Sequence, residues 1–168
     1  MSPYAVQVVT ATLPGRRQWF EECKRHVDAQ VYPVQYIVID DREDHGDHGI
    51  AAFGRGCAQS TAPWLYCTAD DEWLAPDCIA ACMRAALEQD ADFAVHYRQW
   101  PQGIQYAGHP PEQWNLTLGL FKRELLSIFG WGDNVWPSGG DGVMAKRWLN
   151  GGAKLAVVPR VLSRNVNA

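Results

Sequence analysis

Trp64-Leu65-Tyr66-Cys67-Thr68-Ala69-Asp70-Asp71-Glu72 is an apolar run that ends in three consecutive carboxylates. The apolar part predicts a buried strand. Adjacent like charges repel each other and lose hydration on burial unless a cation compensates them. Because hard oxygen ligands suit Mg²⁺ or Mn²⁺, the stretch predicts a divalent-metal site at the end of a strand. A solvated acidic turn is the alternative interpretation.

A second acidic pair, Asp40-Asp41, ends the apolar run Val34 to Ile39 in the same way. That run predicts a central parallel strand covered on both faces. Apolar residues at helical spacing predict helices over about 16–30, 50–60 and from Pro76 onward, so strands and helices alternate. This order predicts right-handed crossovers and a mostly parallel sheet, in which ligands bind at the carboxyl ends of the strands. Both acidic pairs fall at that edge.

The second half of the chain predicts strands at about 93–97, 116–121 and 155–158 and helices at 122–129 and 141–150. Segment 98–113 contains three prolines and two glycines, which predict an irregular connection. A chain of 168 residues suffices for one domain with a full core. We therefore expect an α/β protein with a single domain over 1–168.

Composition narrows the functional classes. The formal net charge of −4 gives no electrostatic footprint for nucleic acid or anionic membrane. The sequence shows neither a signal-peptide pattern nor an apolar run of transmembrane length, so we expect a cytoplasmic protein. The five cysteines form no Cys-x-x-Cys pair and are expected to be buried free thiols. Some of the eight tryptophans could lie at a homodimer interface.

Four segments, in their order and spacing, resemble the family 2 glycosyltransferases of the GT-A fold. These segments are Val34–Asp41, Ala69–Pro76, Leu118–Leu126 and Gly130–Asp141. The resemblance extends from Val6 to about Leu162. It implies a nucleotide-diphospho-sugar transferase-like, Rossmann-type sandwich with a mostly parallel central sheet. Residues about 4–76 would then bind the nucleotide sugar, and residues about 90–165 would supply the acceptor site and the base.

The resemblance implies a hexosyltransferase-type enzyme that uses a UDP- or dTDP-sugar together with Mn²⁺ or Mg²⁺. Asp70 would be the principal metal ligand with help from Asp71, and Asp40 or Asp41 would hold the nucleobase. Threonine hydroxyls at the end of the first strand could flank the nucleobase or ribose, and guanidinium groups match the oxygens of a diphosphate. These further donor-site candidates are Thr10, Thr12, Arg16 and Arg55.

Asp141 is the expected general base for the acceptor hydroxyl, at the start of a helix behind a Gly-Gly pair. In-line attack with one base implies inversion at the anomeric carbon. The alternative interpretation of Asp141 is a helix N-cap, where Asp is favoured. Trp131 and Trp136 could stack on the acceptor sugar or pack in the core. The sequence does not identify the acceptor; the negative charge disfavours DNA, although a modified DNA base stays open.

Several positions depart from the family pattern, and two of them lack an expected acid. Thr68 stands where the metal motif has its first Asp, and Gly140 stands where a Glu usually precedes the base. The two lost acids leave open a non-catalytic nucleotide- or sugar-binding module. A nucleotidyltransferase is a further alternative, because parallel α/β sheets with acidic strand ends also serve nucleotide transfer.

Overall fold

Eight strands and five helices alternate along the part of the chain that the computed structural model describes, which is residues 5–40, 50–101, 103–105, 119–130 and 140–166. The strands are β1 Val6–Thr12, β2 Val34–Asp40, β3 Trp64–Ala69, β4 Glu72–Leu74, β5 Phe93–Trp100, β6 Gly103–Gln105, β7 Gly119–Lys122 and β8 Leu155–Asn165. The helices are α1 Arg17–Asp28, α2 Ile50–Gln59, α3 Cys78–Glu88, α4 Glu124–Phe129 and α5 Gly140–Asn150.

The strands form one sheet in the order β2-β1-β3-β7-β5-β8-β4, with β6 paired to β5. Strand β1 runs parallel to β2 and β3, and β5 runs parallel to β8. The other four described pairings are antiparallel. The α/β class is therefore confirmed, but the expectation of a mostly parallel sheet is wrong. Because β7 runs against both of its neighbours, the sheet is mixed beyond its first three strands.

Strand β2 lies at one end of the described sheet, and the expectation of a central strand covered on both faces is wrong. Within the described residues β2 pairs with β1 alone. None of its side chains is fully buried, and Val38 keeps 39% of its surface exposed. An apolar run indicates that a strand packs against a core, but it does not show how many strands pair with it.

Two apolar cores cover the two faces of the sheet, because side chains alternate between the faces along each strand. Val6 and Val8 of β1 face helices α1 and α3, where Cys23, Val27 and Ile79 complete one core. Val9 faces α2, α4 and α5 in the second core, which contains Phe53, Leu125, Met144 and Trp148. Helix α2 approaches β1 closely through Gly56, where an added Cβ would lie 2.4 Å from a methyl carbon of Val9.

Three features of the second half differ from the sequence-based expectations. Strands β4 and β6 were not predicted, and β5 and β8 extend beyond their predicted ends. The register between β5 and β8 shifts on either side of Tyr97, which brings Val158 and Val161 opposite neighbouring residues of β5. Pro159 lies within that irregularity, where its missing N–H is tolerated. None of the described helices is long and apolar enough to span a membrane.

Candidate functional site

The carboxyl ends of the three parallel strands place Thr12, Asp40 and Asp70, three of the predicted donor-site residues, at one edge of the sheet. Thr12 at the end of β1 is in register with Asp40 at the end of β2. Ala11 is in register with Ala69 of β3, so Asp70 follows directly beyond the paired region. Asp40 is exposed, Thr12 is half-buried and Asp70 is only 3% exposed. This edge has the strand polarity expected for a ligand site in an α/β sheet.

Asp70 is held from two sides by residues close to the end of β1. The hydroxyl of Thr12 donates a hydrogen bond to Asp70 Oδ2 at 2.9 Å. The guanidinium of Arg16 lies 2.8 Å from Asp70 Oδ1 and 3.0 Å from Asp71 Oδ2. The same guanidinium lies 4.8 Å from the centre of the Trp19 ring. Arg16 is thus a positive charge shared by both acids, and it comes from the turn that precedes α1.

Burial raises the pKa of Asp70, and the attraction of Arg16 and the hydrogen bond from Thr12 only partly offset this effect. The repulsion from Asp71 acts in the same direction as burial. The folded chain therefore holds a carboxylate where ionisation is unfavourable. Perturbed groups of this kind collect at functional sites, although structural ion pairs also produce them.

The donor atoms at this turn suit a divalent cation. Oδ1 of Asp70 and Oδ2 of Asp71 converge on one nitrogen atom, so the two carboxylates face a common position. Hard carboxylate oxygens are the ligands that Mg²⁺ and Mn²⁺ prefer. In the described conformation the cation at this position is the guanidinium of Arg16. A metal ion would therefore compete with Arg16 for the same oxygens.

Glu72, the third acid of the sequence motif, is not part of this edge. It is fully buried, and its Oε1 lies 2.9 Å from Nε of Arg98, which is 1% exposed. The hydroxyl of Thr68 donates to Glu72 Oε2 at 3.2 Å. The two-residue turn at Asp70 and Asp71 starts strand β4 at Glu72 and turns this side chain into the core. Sequence reasoning missed the pair, because its second partner lies 26 positions further along the chain, where an irregular connection was expected.

The other predicted site residues divide into three groups. Thr10 is fully buried beneath α1, so it offers no surface at the edge in this conformation. Arg55 is exposed on α2. Asp41, Trp131 and Trp136 lie outside the described residues.

Helix α5 carries Asp141 in its first turn and packs its carboxyl-terminal half at the amino end of β5. Strand β5 is antiparallel to β7 and therefore runs in the direction of β3. The carboxyl-terminal half of α5 packs at the opposite edge, since Trp148 contacts Phe93, the first residue of β5, at a ring distance of 5.4 Å. Gly151 and Gly152 follow, and β8 then starts beside Phe93. Asp141 lies seven residues before Trp148, which is about two turns or about 10 Å along the helix.

A cavity of about 610 Å³ lies between α1, β4 and the end of β8. Trp73 on its wall stacks with His26 at 5.3 Å between ring centres, and the guanidinium of Arg164 lies 4.2 Å from the indole centre. Neither Asp70 nor Asp71 lines this cavity. It is therefore distinct from the acid-lined edge.

We expect Asp70→Asn to unfold at an equal or higher temperature than the wild type at neutral pH. Because the pKa of Asp70 is raised, the wild type loses stability as pH rises through that pKa, whereas Asn carries no charge to bury. The difference should vanish on acidification and is measured by thermal unfolding across pH.

Asp90→Asn is the matched control, since the hydrogen bond from Lys154 lowers the pKa of Asp90. Its stability contribution is present above the ordinary carboxyl pKa and is lost as pH falls, so this variant should be the less stable one at neutral pH. If Asp70→Asn behaved like Asp90→Asn, the carboxylate would be serving stability and not a site.

Comparison with known proteins gives a fold but no sequence family. No protein-family model matches the chain, and no curated protein does. Among solved structures, S. aureus TarS residues 1–349 in complex with UDP-GlcNAc aligns over 97% of this chain with a TM-score of 0.72 and 12% identity. The mannosyltransferase PcManGT from Pyrobaculum calidifontis, in complex with GDP-Man and Mn²⁺, aligns over 96% with a TM-score of 0.72 and 15% identity. A197 from STIV aligns over 97%, with a TM-score of 0.62 and 10% identity.

The chain spans 58% of the TarS structure, 56% of the mannosyltransferase structure and 86% of A197. At these identities the likeness concerns the fold, which is GT-A-like. The likeness supports a mixed α/β, GT-A-like fold, and it does not show the Rossmann-type sandwich with a mostly parallel sheet that the sequence resemblance implied.

Proposed function

We propose that this chain transfers a sugar from a nucleotide-diphosphate sugar to an acceptor hydroxyl. The observation that carries the proposal is the convergence of Asp70, Asp71 and Arg16 at the carboxyl edge of parallel strands. Structural neighbours solved with UDP-GlcNAc and with GDP-Man support a nucleotide-sugar donor. We propose a UDP- or dTDP-sugar as the donor and a hexose as the transferred group, with GDP- and CDP-sugars as the comparison.

Each residue at the edge has a proposed role in binding the donor. Asp40 and Asp41 would accept hydrogen bonds from the nucleobase, with Thr12 close to the nucleobase or ribose. Arg16 is half-exposed and already adjacent to the acids, so a diphosphate arriving there would meet a guanidinium that matches its oxygens. Arg55 on α2 is the second candidate for the diphosphate.

Asp70 and Asp71 are the residues that would hold Mn²⁺ or Mg²⁺. A bound divalent ion would supply Lewis-acid stabilisation of the negative charge that develops on the departing diphosphate. We further propose that donor binding draws Arg16 onto the diphosphate and releases the carboxylates.

Asp141 is the proposed general base. Its carboxylate would take the proton of the acceptor hydroxyl while the hydroxyl oxygen forms a bond to the anomeric carbon. The bond from that carbon to the diphosphate oxygen breaks, and the electron pair leaves with the diphosphate. The reaction passes through an oxocarbenium-like state and inverts the configuration. Trp131 and Trp136 are proposed to bind the acceptor.

Arg16→Gln separates the two proposed roles of Arg16, which are to bind the diphosphate of the donor and to compete with a metal ion for Asp70 and Asp71. Losing a charge-assisted contact to phosphate removes about 1.5–3 kcal/mol, so we expect nucleotide-sugar affinity to fall about 10- to 100-fold. Mn²⁺ alone should stabilise this variant more than the wild type, because the competing cation is gone. Both quantities follow from thermal shifts with each nucleotide sugar, with Mn²⁺ and with EDTA.

Arg17→Gln is the control, because Arg17 is exposed and contacts Glu21 at 3.7 Å on the surface of α1. It should bind metal and donor like the wild type. If no nucleotide sugar at millimolar concentration raised the unfolding temperature of the wild type, the proposed donor site would be contradicted. Equal donor affinity in Arg16→Gln would contradict the role of Arg16 alone.

A non-catalytic binding module is the second candidate, and one observation favours it. Thr68 replaces the first acid of the metal motif, is fully buried and donates to Glu72, so the position has become part of the core. This candidate predicts donor binding without release of nucleoside diphosphate. Release of pyrophosphate from a nucleoside triphosphate would instead favour a nucleotidyltransferase.

A further inference from the structure

Four side chains with metal-binding atoms meet in the core between α3 and the sheet, away from the acid-lined edge. Cys78 and Cys82 are four residues apart on α3, a spacing that places both thiols on one helix face. His96 of β5 and Tyr66 of β3 face them from the sheet. All four residues are fully buried. The Sγ atoms of both cysteines and a ring nitrogen of His96 lie within 4.8 Å of one another.

The hydrogen bonds of His96 fix which ring nitrogen can bind a metal. Nδ1 lies 2.8 Å from the carbonyl oxygen of Tyr97. Because a carbonyl only accepts, Nδ1 carries the proton and Nε2 keeps its lone pair. Nε2 lies 2.7 Å from the hydroxyl of Tyr66, which lies 3.6 Å from Sγ of Cys78. A histidine whose second nitrogen donates to a backbone carbonyl is the usual arrangement of a metal-binding imidazole.

We propose that Cys78, Cys82 and His96 bind one Zn²⁺ ion, with the hydroxyl of Tyr66 completing a tetrahedral set. Zinc favours thiolate and imidazole ligands, with Zn–S distances of about 2.3 Å, so sulfur atoms at a tetrahedral ion lie about 3.8 Å apart. The separations among the two sulfur atoms and the ring nitrogen, at most 4.8 Å, need to close by about 1 Å to reach that geometry, and the 2.7 Å between Nε2 of His96 and the Tyr66 hydroxyl needs to widen by about 0.6 Å.

Charge balance supports a site in this position. Binding of the two cysteines deprotonates two thiols and releases two protons, so two thiolates neutralise the dication while the imidazole stays neutral. A site of zero net charge avoids the cost of an uncompensated ion in an apolar core. The zinc would tie α3 to β5 and β3. It does not depend on the proposed glycosyl transfer and is separate from the oxygen ligands Asp70 and Asp71.

Another close pair of thiols in the described core serves as the comparison. Sγ of Cys57 lies 3.7 Å from Sγ of Cys67 between α2 and β3. Among the described residues the cluster of Cys78, Cys82 and His96 is the group of three ligands that could hold an ion. Cys57→Ala therefore removes a buried thiol of the other core while leaving the proposed site intact.

The test is titration of the chelator-treated, TCEP-reduced protein with Co²⁺. Wild type and Cys57→Ala should each develop one equivalent of a thiolate-to-cobalt charge-transfer band, which Zn²⁺ then abolishes, and Cys82→Ala should lose it. Oxygen ligands such as Asp70 and Asp71 give no such band. A folded, reduced wild type without the band overturns the proposal, as does an unchanged band in Cys82→Ala.

Circular dichroism reports whether Cys82→Ala folds. If it does not fold, X-ray absorption at the zinc edge of the zinc-loaded wild type decides the question. A shell of two sulfur atoms and two nitrogen or oxygen atoms supports the site, whereas a shell without sulfur overturns it.

Discussion

Asp141→Asn is expected to lower the rate of nucleoside diphosphate release about 10²- to 10⁴-fold, the contribution typical of a positioned general base. Asn keeps the size of the side chain, and Asp141 lies in the first turn of α5, where the loss of its attraction to the helix dipole should cost at most about 1 kcal/mol of stability. Donor affinity should also stay unchanged, because the base acts on the acceptor hydroxyl. Release of nucleoside diphosphate with water as acceptor measures this without knowledge of the natural acceptor.

The direction of α5 makes this prediction specific. Its carboxyl-terminal half packs at the amino end of β5, and Asp141 lies about two turns away from that contact. The proposed role requires the first turn of α5 to reach the edge where Asp70 lies. Glu124→Gln is the control, since Glu124 is an exposed acid in the first turn of α4. It should release diphosphate like the wild type. Wild-type release by Asp141→Asn would contradict the role of Asp141 as the general base.

Arg98→Met is expected to lower the free energy of unfolding by about 3–5 kcal/mol, because it leaves Glu72 as a buried charge without its partner. Adding Glu72→Gln to Arg98→Met should restore most of the loss, since the second change removes the stranded charge and keeps an acceptor for Thr68. Urea unfolding of Arg98→Met, of Glu72→Gln and of the double variant gives the interaction free energy between Arg98 and Glu72.

The pH dependence provides an internal check. Burial raises the pKa of Glu72, and Arg98 opposes that rise. Without Arg98 the pKa rises further, so the deficit of Arg98→Met should shrink as pH falls and Glu72 becomes neutral. Arg160→Met is the surface control, because Arg160 and Asp77 form an exposed pair at 2.8 Å that should contribute at most about 1 kcal/mol. If Arg98→Met and Arg160→Met lost the same free energy of unfolding, the burial of the Arg98–Glu72 pair would not be the cause of its large contribution.

Local patterns in the sequence located most elements, because they depend on spacing within one segment. The apolar residues of α1 and α3 recur at helical intervals, and the strand from Trp64 follows from its own composition. The acids at the strand ends were recognised for the same reason. The position of β2 at the edge was not predictable, since it depends on which other strands pair with it and not on its own residues.

The partners within the site depend on contacts between distant segments, and the sequence did not predict them. Arg16 lies 54 positions from Asp70, and nothing in either segment identifies the other as its neighbour. The prediction for Glu72 was wrong in a second respect, because three adjacent acids suggested that all three side chains share one environment. A two-residue turn divides them, leaving Asp70 and Asp71 at the edge and Glu72 in an ion pair within the core.

The pairing of β4 with the last strand has a consequence for the order in which the molecule matures. Glu72 is in register with Asn165, and the backbone N–H of Val166 donates to the carbonyl of Asp71 at 3.1 Å. The parallel unit of β1, β2 and β3 is complete within the first 69 residues, but the acidic turn receives its outer support from residues made almost a hundred positions later. During synthesis from the amino terminus, a nascent chain therefore has its scaffold of three parallel strands long before Asp70 and Asp71 are fixed in place.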